Sequence, residues 1–303
     1  MNAWITLPSV SADLGEGLHW DSARACLWMT DIHGRRLCQG RAGATAWRSW
    51  ALLQRVGWVI PCASGDALLL GLQGGFARVQ WPLVEGATDL DFEWVAQPFG
   101  GNASLRLNDA KADVTGAVWA GSLNNDDDSR ADGCLFRLGS DGQLTVMDTG
   151  YTVANGPAIR GDGRLMLHTD SGRRTIYAFD LDAPAGRLSN KRVWKQFADE
   201  DGYPDGMCFD AEGAVWLAHW GGSCISRFAP DGRLLRRVQL PTSHVTNVCF
   251  GGPALDRLFV STARAGLSSE QLASQPLAGA LFEVLSPGVA GLPGLSFGPT
   301  LLP

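Results

Sequence analysis

Three observations predict an all-β fold, a six-bladed β-propeller that takes up residues 1–303 as a single domain. One short apolar strand recurs six times, its copies lie 41 to 50 residues apart, and 38 glycines with 12 tryptophans suit many short strands joined by tight turns. A repeat of roughly 40–50 residues holding about four strands matches one propeller blade, because each blade buries its faces only against its neighbours. A sandwich or another all-β barrel is the competing architecture, and six evenly spaced copies favour the propeller over it. The same regularity removes a two-domain reading.

The elements follow in chain order. The N-terminal segment around Ala3 to Leu7 is expected to give an outer strand to the last blade and so close the ring, since an open ring leaves an edge exposed. The recurring strands are CLWMTDI from Cys26, ALLLGLQ from Ala67, AVWAGSL from Ala117, RLMLHTD from Arg164, AVWLAHW from Ala214 and RLFVSTA from Arg257. With Leu27, Leu68, Val118, Leu165, Val215 and Leu258 as markers, the spacings are 41, 50, 47, 50 and 43 residues. Most copies follow a turn, and segments such as CLFRLGSDG, RTIYAFDL and CISRFAPDG between them read as further hairpin strands. The acidic stretch NNDDDSRADG (124–133) reads as a loop and lacks the Gly and Glu of an EF-hand. Only LSSEQLASQP, near 267–276, has a helical flavour.

Composition narrows the function. The net charge is −6 with no cluster of Lys and Arg, so nothing would neutralise the phosphates of a nucleic acid or an anionic membrane. The seven cysteines form no C-x-x-C pair and are expected to be reduced, mostly buried apolar residues. MNAWITLPSV lacks the charged and apolar regions of a signal peptide, and no apolar run of about 18 residues occurs. A cytoplasmic protein, monomeric or weakly oligomeric, is the expectation.

Counting back from the markers finds the candidate site. Ten residues before Val118, Leu165 and Val215 stand Asn108, Asn155 and Asp205; eleven before Leu27, Leu258 and Leu68 stand Glu16, Asn247 and Gly57. Each begins the strand preceding its marker, the innermost strand of a blade, and equivalent ends of innermost strands converge on one mouth of the central channel. A single Asp or Asn before a strand is ordinary turn chemistry. Five oxygen-bearing side chains aimed at one point, two of them carboxylates, are not. Two buried carboxylates repel, and a divalent cation removes the conflict. Carboxylate and amide oxygens suit Ca²⁺, Mg²⁺ or Mn²⁺. No His or Cys falls at an axial position, which disfavours a closed zinc site, although Zn²⁺ held through oxygens with an open position stays in play.

The segments LGEGLHWD (14–21), RLNDAKAD (106–113), VWAGSL (118–123), VANGPAI (153–159), YPDGMCFDAEG (203–213) and CFGGPALDRLFVSTAR (249–264) resemble the gluconolactonase/regucalcin (senescence marker protein) family over nearly the whole chain. That resemblance implies a six-bladed propeller with one divalent metal ion on its axis, held by Glu16, Asn155 and Asp205. It implies that Asn108 holds metal-bound water or substrate, that Arg106 binds substrate oxygens, and that Asp126 takes the place of an acid holding sugar hydroxyls. The family's N-D-G-K is N-D-A-K here, and its acid at the Asp126 position is commonly Glu; both departures bear on substrate identity. Asn247 falls where the family has no ligand, as a bystander or a contact behind the ligands.

The implied activity is hydrolysis of a sugar lactone (an aldonolactone) to the aldonic acid, the metal polarising the carbonyl and Asp205 accepting a proton from the attacking water. Other readings are a calcium-binding or interaction propeller without catalysis, and a related esterase or phosphotriesterase. Arg106 beside Asn108 and Asp126 favours the enzyme, because a purely structural ion needs no substrate-facing guanidinium. Other chemistries lack their motifs. No H-x-x-x-H pair, G-x-x-x-x-G-K loop or post-strand G-x-G-x-x-G is present. His19 and His219 read as structural, and Trp28, Trp119 and Trp216 as blade packing.

Overall fold

The computed structural model describes residues 3–7, 11–41, 46–87 and 89–299. Six four-stranded antiparallel sheets succeed one another along the chain, five built from consecutive strands. The sixth runs from Val245–Gly251 through Arg257–Thr262 and Leu281–Val284 to the N-terminal Trp4–Leu7. Trp4 pairs with Val284 and Leu7 with Leu281, so the last blade is completed by the first strand. The fold is the expected six-bladed propeller.

The innermost strands are Gly15–Asp21, Val56–Pro61, Leu105–Ala112, Ala154–Ile159, Tyr203–Phe209 and Val245–Gly251. Each packs against the innermost strand of the next blade, and the sixth meets the first. The recurring apolar strands are the second strands of their blades, for example Ala67–Leu72 and Val215–Trp220. Those positions lie between neighbouring blades on both faces, so they read as apolar runs instead of alternating; ALLLGL is buried throughout. The outermost strand Arg187–Gln196, RLSNKRVWKQ, is mostly exposed and correspondingly polar.

One turn device recurs where the innermost strand gives way to the second. Asp210 accepts hydrogen bonds from the backbone N–H groups of Glu212 and Ala214 and from the Trp216 indole Nε1 (3.1 Å). Asp113 does the same for Thr115, Ala117 and Trp119 (2.7 Å to Nε1). Trp28, Trp119 and Trp216 are buried between blades, as the sequence suggested. All seven cysteines are unpaired. The helical segment is one short helix, Ser269–Ser274, whose capping box joins Ser268 and Gln271. Among the described residues no helix is long and apolar enough to cross a membrane.

Candidate metal centre and substrate cavity

Every innermost strand breaks its pairing register at the same level: between Glu16 and His19, Val56 and Trp58, Leu107 and Ala110, Asn155 and Ala158, Pro204 and Met207, and Val245 and Asn247. A β-bulge leaves a residue unpaired and re-aims its side chain. Here six bulges lie around one axis, at the positions found by counting back. Glycine completes the device in the first blade: Gly17, at φ 58°, lies so close to the second blade that a Cβ would sit 2.6 Å from the Gly57 carbonyl oxygen.

Glu16, Arg106, Asn108, Asn155 and Asp205 all line one cavity of about 750 Å³ at this end of the channel, with Leu14, Val153, Tyr203 and Trp220 among its walls. All five polar side chains are buried. Asn108 Nδ2 donates to Asn155 Oδ1 and to the Ala154 carbonyl, each at 2.8 Å, while its Oδ1 accepts from Arg106 Nη1 at 2.6 Å. Asn155 Nδ2 donates to Ser171 Oγ (2.9 Å), and Ser171 Oγ donates to the Pro204 carbonyl (2.6 Å), which aims the Asn155 oxygen at the axis. Glu16 Oε2 accepts from Gly17 N (3.1 Å) and from Asn247 Nδ2 (2.9 Å).

The electrostatics are unbalanced. Burial, then the charge of Glu16, pushes the Asp205 carboxyl well above the usual carboxylate range. Burial, then the neighbouring Asp109, pushes Glu16 up as well. Asp205 Oδ1 is buried without any hydrogen-bond partner. Such an orphaned oxygen beside a second carboxylate is costly unless a cation or proton meets it. Burial, opposed by the charge of Glu16, lowers the Arg106 guanidinium to about 10.

A divalent ion fits this donor set. Asp205 Oδ1 has no partner, Glu16 keeps Oε1, and the Asn155 oxygen, with one bond accepted, retains a lone pair. The donors are hard oxygens, the kind Ca²⁺ or Mg²⁺ takes. Among the described residues no three His, Cys, Asp or Glu side chains form a metal site by themselves, so an ion here depends on the amide as well.

Asp126 is not brought to the cavity. Asn124 Oδ1 accepts from the backbone N–H groups of both Asp126 and Asp127 (3.1 Å each), a turn that sends Asp126 outward to accept from Ser104 Oγ at 2.6 Å. Its neighbour Asn125 lines the cavity instead and accepts from Arg106 Nε (3.1 Å). Asn247 does not face the cavity but lies behind Glu16. Sequence reasoning missed Asp109, Asn125 and Ser171. A signal for Asp109 was present, two successive polar residues in a strand that otherwise alternates.

His19 faces away, into a separate cavity of about 230 Å³ that it shares with Lys111, and burial lowers it to about 4. His219 is buried with Nδ1 2.9 Å from the Asp201 carbonyl oxygen. Neither lines the cavity that holds Glu16 and Asp205.

Fold and hub together define the class: a six-bladed propeller that gathers oxygen donors from separate blades at one end of its axis, beside a buried guanidinium. The chain belongs to the SMP-30/Gluconolactonase/LRE-like region family, matching it over residues 14–264. It is 31% identical to regucalcin of Gallus gallus over 290 residues, covering 94% of each chain. It is 33% identical to the pentonolactonase XacC of Haloferax volcanii over 253 residues, covering 84% of this chain and 82% of that one. The solved structure of a luciferin-regenerating enzyme superposes with a TM-score of 0.90 at 28% identity, covering 97% of this chain and 99% of the other.

Proposed function

We propose that this protein is a metal-dependent lactonase that opens a sugar lactone, an aldonolactone, to its aldonic acid. The observation that carries the reading is the pair of buried carboxylates, Glu16 and Asp205, with Asp205 Oδ1 left unpartnered beside a cavity that also holds Arg106. Membership of a family that includes a pentonolactonase supports the substrate class. The seven unpaired thiols agree with a reducing, cytoplasmic setting.

Glu16, Asn155 and Asp205 would hold one divalent ion, Ca²⁺, Mg²⁺, Mn²⁺ or Zn²⁺. When bound, the ion supplies Lewis acidity toward a carbonyl and acidifies water. The chain's own residues do the rest. Asp205 presents a carboxylate oxygen that can accept the proton of the attacking water. Arg106 has Nε and Nη1 engaged by Asn125, Leu107 and Asn108, which fixes the guanidinium plane and leaves Nη2 to donate to the lactone carbonyl or a ring hydroxyl. Asn108 locks Arg106 to Asn155, so the substrate-binding and ion-binding groups move as one unit. Asn125 takes over the hydroxyl-binding place that the resemblance gave to Asp126. Leu14, Val153, Tyr203 and Trp220 shelter the reacting atoms from bulk water.

A proton-release assay over a panel of aldonolactones, with chelator and then with single metals added back, tests the reading. The expected result is hydrolysis abolished by chelation and restored by at least one divalent ion. Failure of every metal to restore turnover on any lactone would favour a propeller that binds an ion or a partner without catalysis.

A further inference from the structure

We propose that Asn247 is a positioning residue: with Asp109 and Lys111 behind it, Asn247 decides which oxygen of Glu16 is offered to the ion. The inference rests on the metal site proposed above. Asn247 is fully buried, with both amide hydrogens and one lone pair of its oxygen engaged. Nδ2 donates to Glu16 Oε2 (2.9 Å) and to Asp109 Oδ2 (3.2 Å), and Oδ1 accepts from Val248 N (2.9 Å). Two acceptors and one donor on three sides fix both the position and the flip of the amide. Glu16 Oε2 is thereby held by Asn247 together with Gly17 N (3.1 Å), and Oε1 is the oxygen left for an ion.

Asp109 would otherwise be a third carboxylate at the hub. Its Oδ1 instead accepts from Ala110 N (2.7 Å) and lies 3.5 Å from Lys111 Nζ, while Oδ2 faces Asn247. Both oxygens are occupied, and an internal ammonium compensates their charge. The amide has room only because residue 206 is glycine: a Cβ there would lie 2.5 Å from Asn247 Cγ and Nδ2. Three blades, the first, third and sixth, are thus tied together behind one ligand.

The test uses the whole chain, freed of metal. Ca²⁺ affinity is measured by calorimetry, and bound water is counted from Tb³⁺ luminescence lifetimes in H₂O and D₂O, for wild type and Asn247→Leu. Leu, though larger, keeps the branching at Cγ and removes the donor; Asn247→Ala serves if Leu does not fold, with the metal-free Tm as control. Loss of a hydrogen bond that orients a ligand should raise the Ca²⁺ Kd roughly 10- to 100-fold. The Tb³⁺ site should gain about one water as Glu16 swings off. Wild-type affinity in the variant overturns the proposal. So does weaker binding with an unchanged water count, which would mean general loosening. A wild-type chain that binds neither ion overturns the metal reading itself, and this proposal with it.

Discussion

Asp205 carries the sharpest conflict among the residues, a buried carboxyl with one oxygen unpartnered and Glu16 for a neighbour. Asp205→Ala is expected to abolish ion binding in calorimetry and to drop lactone turnover to the chelated baseline; turnover that survives would remove Asp205 from the mechanism. Arg106→Ala removes charge-assisted hydrogen bonds to substrate, so KM should rise roughly 10- to 100-fold with Ca²⁺ affinity much less affected. His168 offers a pH test away from the hub. It is fully buried, both ring nitrogens lack partners, and burial lowers it to about 3. Between that value and the ordinary 6.5 the unfolded chain binds the extra proton, so stability rises with pH and is lost as pH falls. From pH 7 to 5 this one group should remove about 2 kcal/mol. Urea unfolding of His168→Leu should show a loss smaller by that amount, and an equal loss would clear His168.

Elements convert those residues into a site. The bulges recur in all six blades and the Asp–Trp turn in the third and fifth, so the same local chemistry is repeated around the axis. Asp210→Ala would leave the Glu212 and Ala214 amides, the Trp216 indole and the Arg227 Nε without their acceptor. Breaking such a buried charged network costs about 3–5 kcal/mol, to be read as a lower urea midpoint with little change in turnover per folded molecule. Gly17→Ala should do the opposite in kind, weakening Ca²⁺ binding along with stability, because its Cβ would drive the first blade off the second. Gly142 also has a positive φ, 81°, but nothing lies near its would-be Cβ. Gly142→Ala should therefore cost about 1 kcal/mol of backbone strain and leave Ca²⁺ affinity alone. Equal effects on ion binding would show that the bulge does not position Glu16.

At the scale of the whole molecule, ring closure depends on the strand Trp4–Leu7. Trp4 sets its ring edge-on to Phe282 at 5.1 Å and its Nε1 donates to the Gln239 carbonyl at 3.0 Å. Deleting the chain through Leu7 should lower Tm by several degrees and, by baring the Leu281–Val284 edge, cause concentration-dependent association visible by light scattering. An unchanged Tm would mean that closure contributes little. Blade number, strand order and the convergence of Glu16, Asn108, Asn155 and Asp205 were legible from residue spacing, because each blade repeats one local pattern and equivalent positions must converge on an axis; Asn247, read the same way, stands behind Glu16 instead. Asp126, which the family resemblance placed among the substrate contacts, lies in a loop where an Asn124 turn decides direction and sends it outward. Asp109 and the inward role of Lys111 were obscured because a bulge breaks the alternation that tells inside from outside, and Asn125 because it lies in a loop past the strand end. The sequence by itself therefore determined which strands form and that Glu16, Asn108, Asn155 and Asp205 stand at the hub. Which oxygen of Glu16 faces the cavity, and which carboxylate is held back from it, only the tertiary structure decided, because those choices rest on hydrogen bonds between blades more than a hundred residues apart.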